Sequence, residues 1–275
     1  MKSNAAWARR LGALVVIGGI IAFLAWAYTT PVLMYHSVNN ATESSLLNVS
    51  PERFEAQMRL LQQRGIRVLS FDDLVGLMEQ RKKRFKSVVL TFDDGYVDNY
   101  TVAFPILKKY RFPATIFIVT DWVGTTGYLT WDQIREMSAG GLITFGSHTR
   151  SHCVLPQAEM SRVVEELSFS KKMLEDQIGE PVKFFSYPCG EFWGNGRDLA
   201  REAGYRAACA TNAGRDISFW DLFAIRRIRV PKRADDSLLT FAAQVSGYYT
   251  FFRDRKERKY KQEQLSTDER TDSRY

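Results

Sequence analysis

From Pro31 onward the chain alternates between two hydrophobic periods. Short runs dense in Val, Ile, Leu and Phe, bounded by Gly, Pro or polar residues, predict buried strands over 32–35, 67–69, 87–92, 115–119, 143–146, 183–187, 206–210 and 224–230. Longer amphipathic stretches between them predict helices over 51–64, 71–80, 99–110, 130–139, 158–178 and 197–203, with a last one over 237–245. The first helix shows the signal well: Ser50 stands at the cap before Pro51, and Phe54, Met58 and Leu61 fall on one face. Strand and helix alternating seven or eight times in one domain predict a parallel sheet, and at this length closure into a barrel rather than an open doubly wound sheet. No internal repeat is visible.

The two ends of the chain break this pattern. Residues 11–28 carry no charge and follow Lys2, Arg9 and Arg10. As a helix the run spans roughly 27 Å, enough for the core of a bilayer, and the preceding cations place the N-terminus in the cytoplasm. The expectation is a single-pass membrane anchor with the rest of the chain outside the cytoplasmic membrane. A cleaved signal peptide is the alternative, because Ala25-Trp26-Ala27 fits a small-x-small cleavage site. Residues 251–275 are highly charged and nearly free of aliphatics, which predicts a tail, frayed or disordered. The expected organisation is therefore an anchor or signal over 1–30, a catalytic domain over 31–250 and a charged tail.

Composition adds limits. Of 275 residues, 45% are hydrophobic and 25% charged, which excludes a disordered, collagenous or multi-span membrane chain. The net charge of +7 is concentrated in two places, 81–86 and 253–261. Neither interleaves its cations with base-stacking aromatics, so no nucleic-acid partner is expected, and solvated charge or attraction to an anionic envelope surface is the reading. Cys153, Cys189 and Cys209 are too few and scattered for a disulfide framework.

The polar residues that carry chemistry collect at the C-terminal ends of the expected strands. The run 88–92 leads into Asp93-Asp94-Gly95, the run 143–147 into His148-Thr149-Arg150-Ser151-His152, the run 184–187 into Pro188-Cys189-Gly190, and the run 32–35 into His36. In a parallel barrel these ends share one mouth, where active sites are built. All three histidines of the chain are among them. Asp94, His148 and His152 can supply the two imidazoles and one carboxylate that hold a divalent ion with open positions. Asp93 is then free to act as general base toward a water, and a histidine from another strand can protonate a leaving group. Taken singly, each motif has a structural explanation. Asp-Asp-Gly is a common turn, His-x-x-x-His a surface or capping pair, and His36 a hydrogen-bonded core histidine. Their joint placement at strand ends is what favours a hydrolase.

Thr91-Phe92-Asp93-Asp94-Gly95, then Ser147-His148-Thr149-Arg150-Ser151-His152, then Tyr187-Pro188-Cys189-Gly190 resemble the successive motifs of the polysaccharide deacetylase (NodB-homology, carbohydrate esterase family 4) enzymes. The resemblance implies an α/β fold, a distorted (β/α)7 barrel, and a metal-dependent hydrolase that removes acetyl groups from glycans. It implies Asp93 as catalytic base, Asp94, His148 and His152 as ligands of a divalent metal (most often Zn2+), and the N–H of Cys189 as an oxyanion donor. Tyr187, Pro188 and Gly190 line the same subsite, and Trp131, in Leu129-Thr130-Trp131-Asp132, is a candidate sugar-stacking wall. Two departures stand out. The third motif lacks its opening Arg, with Phe185 and Ser186 nearby instead, and no histidine follows His152 to act as acid. Leu33-Met34-Tyr35-His36-Ser37-Val38 resembles the start of the poly-β-1,6-N-acetylglucosamine deacetylase branch, where a first-strand histidine takes the acid role, so His36 is assigned as acid. The implied substrate is an extracytoplasmic N-acetylhexosamine polysaccharide. A peptidoglycan or O-acetyl deacetylase is an alternative, as is a non-catalytic glycan-binding protein on the same barrel.

Overall fold

The computed structural model describes residues 2–40, 47–191, 195–211, 220–230, 237–251 and 253, and the backbone divides into two compact units, Thr30–Ser246 and Met1–Thr29 with Gly247–Tyr275. In chain order the strands are β1 (Val32–Tyr35), β2 (Ser37–Val38), β3 (Asn48–Val49), β4 (Arg67–Leu69), β5 (Ser87–Phe92), β6 (Ala114–Ile118), β7 (Ile143–Ser147), β8 (Phe184–Ser186), β9 (Ala207–Ala210), β10 (Ile225–Arg226) and β11 (Ile228–Arg229). The helices are α1 (Lys2–Ala27), α2 (Pro51–Gln63), α3 (Phe71–Glu79), α4 (Phe104–Tyr110), α5 (Trp131–Ala139), α6 (Met160–Ile178), α7 (Gly196–Glu202) and α8 (Leu238–Gln244).

Every pairing in the main sheet is parallel, in the order β10-β9-β8-β7-β6-β5-β1-β11, with β4 on the N-terminal half of β5. Strands β10 and β11 are two halves of one stave broken at Arg227. The first half pairs with β9 and the second with β1, so the sheet closes on itself. The staves are β1, β5, β6, β7, β8, β9 and the broken one, which is the expected seven-stranded barrel. Parallel neighbours need crossovers that return to the same end, and helices supply them. Serine and threonine caps start several helices. Ser50 accepts from Arg53 N–H ahead of α2, and Ser70/Asp73 and Thr130/Gln133 form capping boxes before α3 and α5. A buried apolar cluster that includes Val32, Phe71, Val89, Phe117, Phe184 and Ile225 holds the staves together.

Two expected elements differ in detail. The helix expected over 99–110 opens as a π-helical turn, Asn99–Ala103, before α4. The strand expected over 224–230 is interrupted at Arg227, for a reason given below.

In the other unit, α1 runs for 26 residues. Phe23 and Trp26 set their ring edges on Phe251, and Thr29 N–H donates to Gly247 O at 2.8 Å. Among the described residues no helix is long and apolar enough to cross a membrane, so the spanning anchor expected at the N-terminus is not found. Most of the tail expected over 251–275 lies outside the described residues.

Candidate active site

Strand β5 delivers two carboxylates to the C-terminal mouth and then separates them. Asp93 continues the extended chain, its N–H donating to Tyr35 O at 3.0 Å. Asp94 (φ 72°) and Gly95 (φ 77°) turn left-handed, so the neighbouring carboxylates meet different partners. Strand β7 delivers His148, and a loop with left-handed Thr149 and His152 brings the second imidazole back toward the first, ring centroids 4.9 Å apart. His148 Nδ1–H donates to Ser186 O at 2.7 Å, which leaves Nε2 to face the carboxylates.

The side chains of Asp94, His148 and His152 converge as expected. Each offers one ligand atom, all within 4.8 Å of one another, and among the described residues no cysteine joins them. All three cysteines are free thiols. Asp94 Oδ1 is the telling atom. It is buried without a hydrogen-bond partner, and it sits 3.6 Å from His148 Nε2 and 3.7 Å from His152 Nε2. These separations are too long for hydrogen bonds and match donors sharing a cation about 2.1 Å from each. The residues present therefore fit a divalent ion. Burial, with the nearby Asp93 charge, pushes the Asp94 carboxyl up to about 7, whereas burial pushes His148 down to about 4 and lowers His152. Protons and metal thus compete mainly at Asp94. Zinc affinity is expected to weaken up to tenfold per pH unit as pH falls below about 7, with a proton released on binding. Calorimetry in buffers of different ionisation enthalpy checks this, and pH-independent affinity between about 5 and 7 contradicts it.

Asp93 has a partner that sequence reasoning missed. Arg227, 1% exposed, clamps it with two parallel bonds, Nη1 to Oδ1 and Nη2 to Oδ2, both 2.6 Å. Nη2 also donates to Ser186 Oγ at 2.8 Å. Burial would raise the Asp93 carboxyl, but the Arg227 guanidinium outweighs it and, with His148, holds Asp93 well below the usual carboxylate range. The arginine absent from the third motif is thus supplied by the closing stave, and Ser186 stands at the vacated position as its acceptor. The break between β10 and β11 places Arg227 there. Its N–H bonds Ala210 O across one edge, whereas Val230 N–H bonds Met34 O across the other. The available signal was a run of cations, Arg226-Arg227-Ile228-Arg229, inside a buried strand, where a charge needs a buried partner.

His36 follows β1, the neighbour of β5, is 9% exposed, and lies within electrostatic reach of Asp93, Arg227, Arg229 and His152. Burial lowers it to about 4, so its imidazole is neutral in the resting protein. Asn99 Nδ2 donates to the His36 carbonyl at 2.8 Å and fixes the turn.

The third motif divides. Cys189 is exposed and left-handed (φ 57°) in a short turn of Pro188–Gly190. Gly190 (φ 70°) is packed so closely that a Cβ would lie 1.5 Å from Thr211 Oγ1. Tyr187, expected to border the substrate, is instead fully buried, its ring edge against Phe185 and its hydroxyl donating to Gly196 O at 3.4 Å. A ring with no exposed face cannot touch a glycan, so its role is to support the turn. Trp131, the candidate sugar wall, is the first residue of α5. Three further aromatic rings lead away from the cluster. Trp122 stacks on His152 at 5.3 Å, Tyr128 lies 4.9 Å from Trp122, and Tyr96 stacks on Tyr128 at 5.1 Å.

A closed parallel barrel with two carboxylates and two imidazoles gathered at its mouth places the chain among the α/β-barrel hydrolases. The family profile described as Polysaccharide deacetylase matches residues 80–208. YxkH of Bacillus subtilis, a protein named by assignment to the polysaccharide deacetylases, is 34% identical over 201 residues, 73% of this chain and 71% of that protein. The chain belongs to the polysaccharide deacetylase family, whose members are hydrolases of acetylated sugars that depend on a divalent metal. Poly-beta-1,6-N-acetyl-D-glucosamine N-deacetylase of Staphylococcus aureus is 30% identical over 165 residues, 55% of this chain and 57% of that enzyme's length. Deacetylase PplD of Streptococcus pyogenes, solved in complex with acetate, shares the fold with a TM-score of 0.70 and 29% identity, covering 77% of this chain and 97% of that one.

Proposed function

We propose that this enzyme removes N-acetyl groups from an N-acetylhexosamine polysaccharide of the poly-N-acetylglucosamine kind, outside the cytoplasmic membrane. The observation that carries the reading is the unpartnered, buried Asp94 Oδ1 between two imidazoles, beside an Arg227-clamped Asp93 and with His36 at the rim. The similarity to a poly-β-1,6-N-acetyl-D-glucosamine deacetylase and to a deacetylase solved with acetate supports the chemistry. The basic-then-apolar N-terminus supports export.

Asp94, His148 and His152 would hold a divalent ion, proposed to be Zn2+, which would supply Lewis acidity and acidify a water when bound. Asp93 is placed to orient the attacking water and to take its proton as the water oxygen adds to the acetamide carbon. The Cys189 N–H faces the oxyanion that develops. His36, in its protonated form, delivers a proton to the nitrogen as the C–N bond breaks, leaving acetate and a free amine. Tyr96, Tyr128 and Trp122 offer ring faces to a neighbouring sugar.

A neutral His36 beside an ionised Asp93 favours a second reading of the proton traffic, in which His36 first accepts the water's proton and then returns it. On metal-saturated enzyme this predicts kcat steady between about pH 6 and about 8, whereas an acid-only His36 predicts a decline through that range. Acetate release from β-1,6-linked N-acetylglucosamine oligomers, chitooligosaccharides, peptidoglycan fragments and O-acetylated glycans tests the substrate. Release from the β-1,6 oligomers foremost is expected; turnover of O-acetyl esters alone, or of nothing, overturns the proposal.

A further inference from the structure

The loop between the two ligand histidines is held from behind by a carboxylate that has no part in the chemistry described above. Glu166, on α6, is 0% exposed. Its Oε2 accepts the backbone N–H of Arg150 at 2.8 Å and of Ser151 at 2.9 Å, and its Oε1 accepts Ser151 Oγ at 2.6 Å. Arg162, one turn earlier on α6, completes the set with Nη2 at 2.7 Å from Oε1. Burying a carboxylate costs several kcal/mol unless its lone pairs are met; here four donors meet them, and two are peptide groups of the loop 149–151.

The loop needs that support. It reverses the chain through two non-glycine left-handed residues, Thr149 (φ 68°) and His152 (φ 61°), each of which costs free energy that the surroundings must offset. Its other polar groups are tied to the barrel. Thr149 N–H donates to Ser147 Oγ at 3.2 Å, Asp121 N–H to Arg150 O at 2.9 Å, and Cys153 N–H to Thr149 Oγ1 at 3.2 Å. The two central N–H groups turn toward α6, and Glu166 is the group that receives them. Without it they point into a buried site with no acceptor, and the loop loses the bonds that set the direction of His152.

We propose that Glu166 is a positioning residue for the metal centre: by receiving the Arg150 and Ser151 amides it holds His152 in register with His148 and Asp94, and so sets metal affinity. The inference rests on the metal-centre reading above. Outer carboxylates of this kind change metal affinity by about 10–100-fold when removed.

The test is zinc affinity by competition with a chromophoric chelator, with the absorption spectrum of Co2+-substituted protein as second readout, on the full chain. Glu166→Gln retains the shape but puts an amide nitrogen against donors, and is expected to weaken zinc by about 10–100-fold and to alter the Co2+ bands. Ser151→Ala, which removes one exposed-side donor, is expected to weaken zinc a few-fold in a protein that folds normally. Both variants binding zinc and Co2+ as the parent does would overturn the inference. If Glu166→Gln fails to fold, Ser151→Ala decides, with unchanged affinity and spectrum counting against it. A parent protein that binds no zinc, or a His148→Ala variant that binds it unchanged, would instead sink the metal-centre reading itself.

Discussion

Replacing Arg227 with Ala is expected to unfold much of the protein's stability and abolish deacetylation together. The variant leaves Asp93 buried, unpaired and next to Asp94, a loss of about 3–5 kcal/mol for a broken buried ion pair. Its pH dependence follows from the sign of the Asp93 shift. In the parent the folded-state pKa is depressed, so the pair stabilises above the unfolded carboxylate value near 4 and that gain fades as pH falls. Without the guanidinium, burial pushes Asp93 the other way. The stability gap between parent and variant is therefore widest at neutral pH and narrows in acid. Urea unfolding at about pH 7 and about pH 4 measures this. Arg227→Lys keeps the charge but not the two-pronged geometry and is expected to fall between. Equal stability of the Ala variant and parent at neutral pH would contradict the clamp.

The second large effect is on turnover with the ligand set intact. Asp93→Asn removes the base while Asp94, His148 and His152 remain, so activity is expected to fall by about 10²–10⁴-fold with zinc stoichiometry unchanged. His148→Ala is expected to lose both activity and metal. Stability of the Asn variant also drops, because the amide answers one Nη of Arg227 with an oxygen and the other with a nitrogen. Acetate release and metal content, measured on the same preparation, separate the base from the ligands. Full turnover by the Asn variant would remove Asp93 from the mechanism.

Much of this site is visible before any fold is built. Asp93-Asp94-Gly95 and His148-x-x-x-His152 each follow a buried apolar strand, and parallel strands separated by helices have their C-terminal ends on one mouth. Local order also marks the helix starts, because Ser50, Ser70 and Thr130 satisfy nearby N–H groups within three residues. The metal-ligand reading therefore follows from residue types plus a simple topology. One misreading comes from side-chain direction. Tyr187 is close in sequence to functional positions, yet it is fully buried. Sequence adjacency carries no information about which way a ring faces once the chain turns.

Strand periodicity, turn glycines and the clustering of all three histidines at strand ends were thus determined by the amino-acid order, since each rests on neighbours within a few positions. The tertiary structure alone decided that Arg227, 134 positions from Asp93, is its partner, that Glu166 backs the histidine loop, and that Trp122 stacks on His152. Those pairings depend on where the barrel closes and how α6 packs against it, and a buried charge takes whichever partner that closure brings within reach.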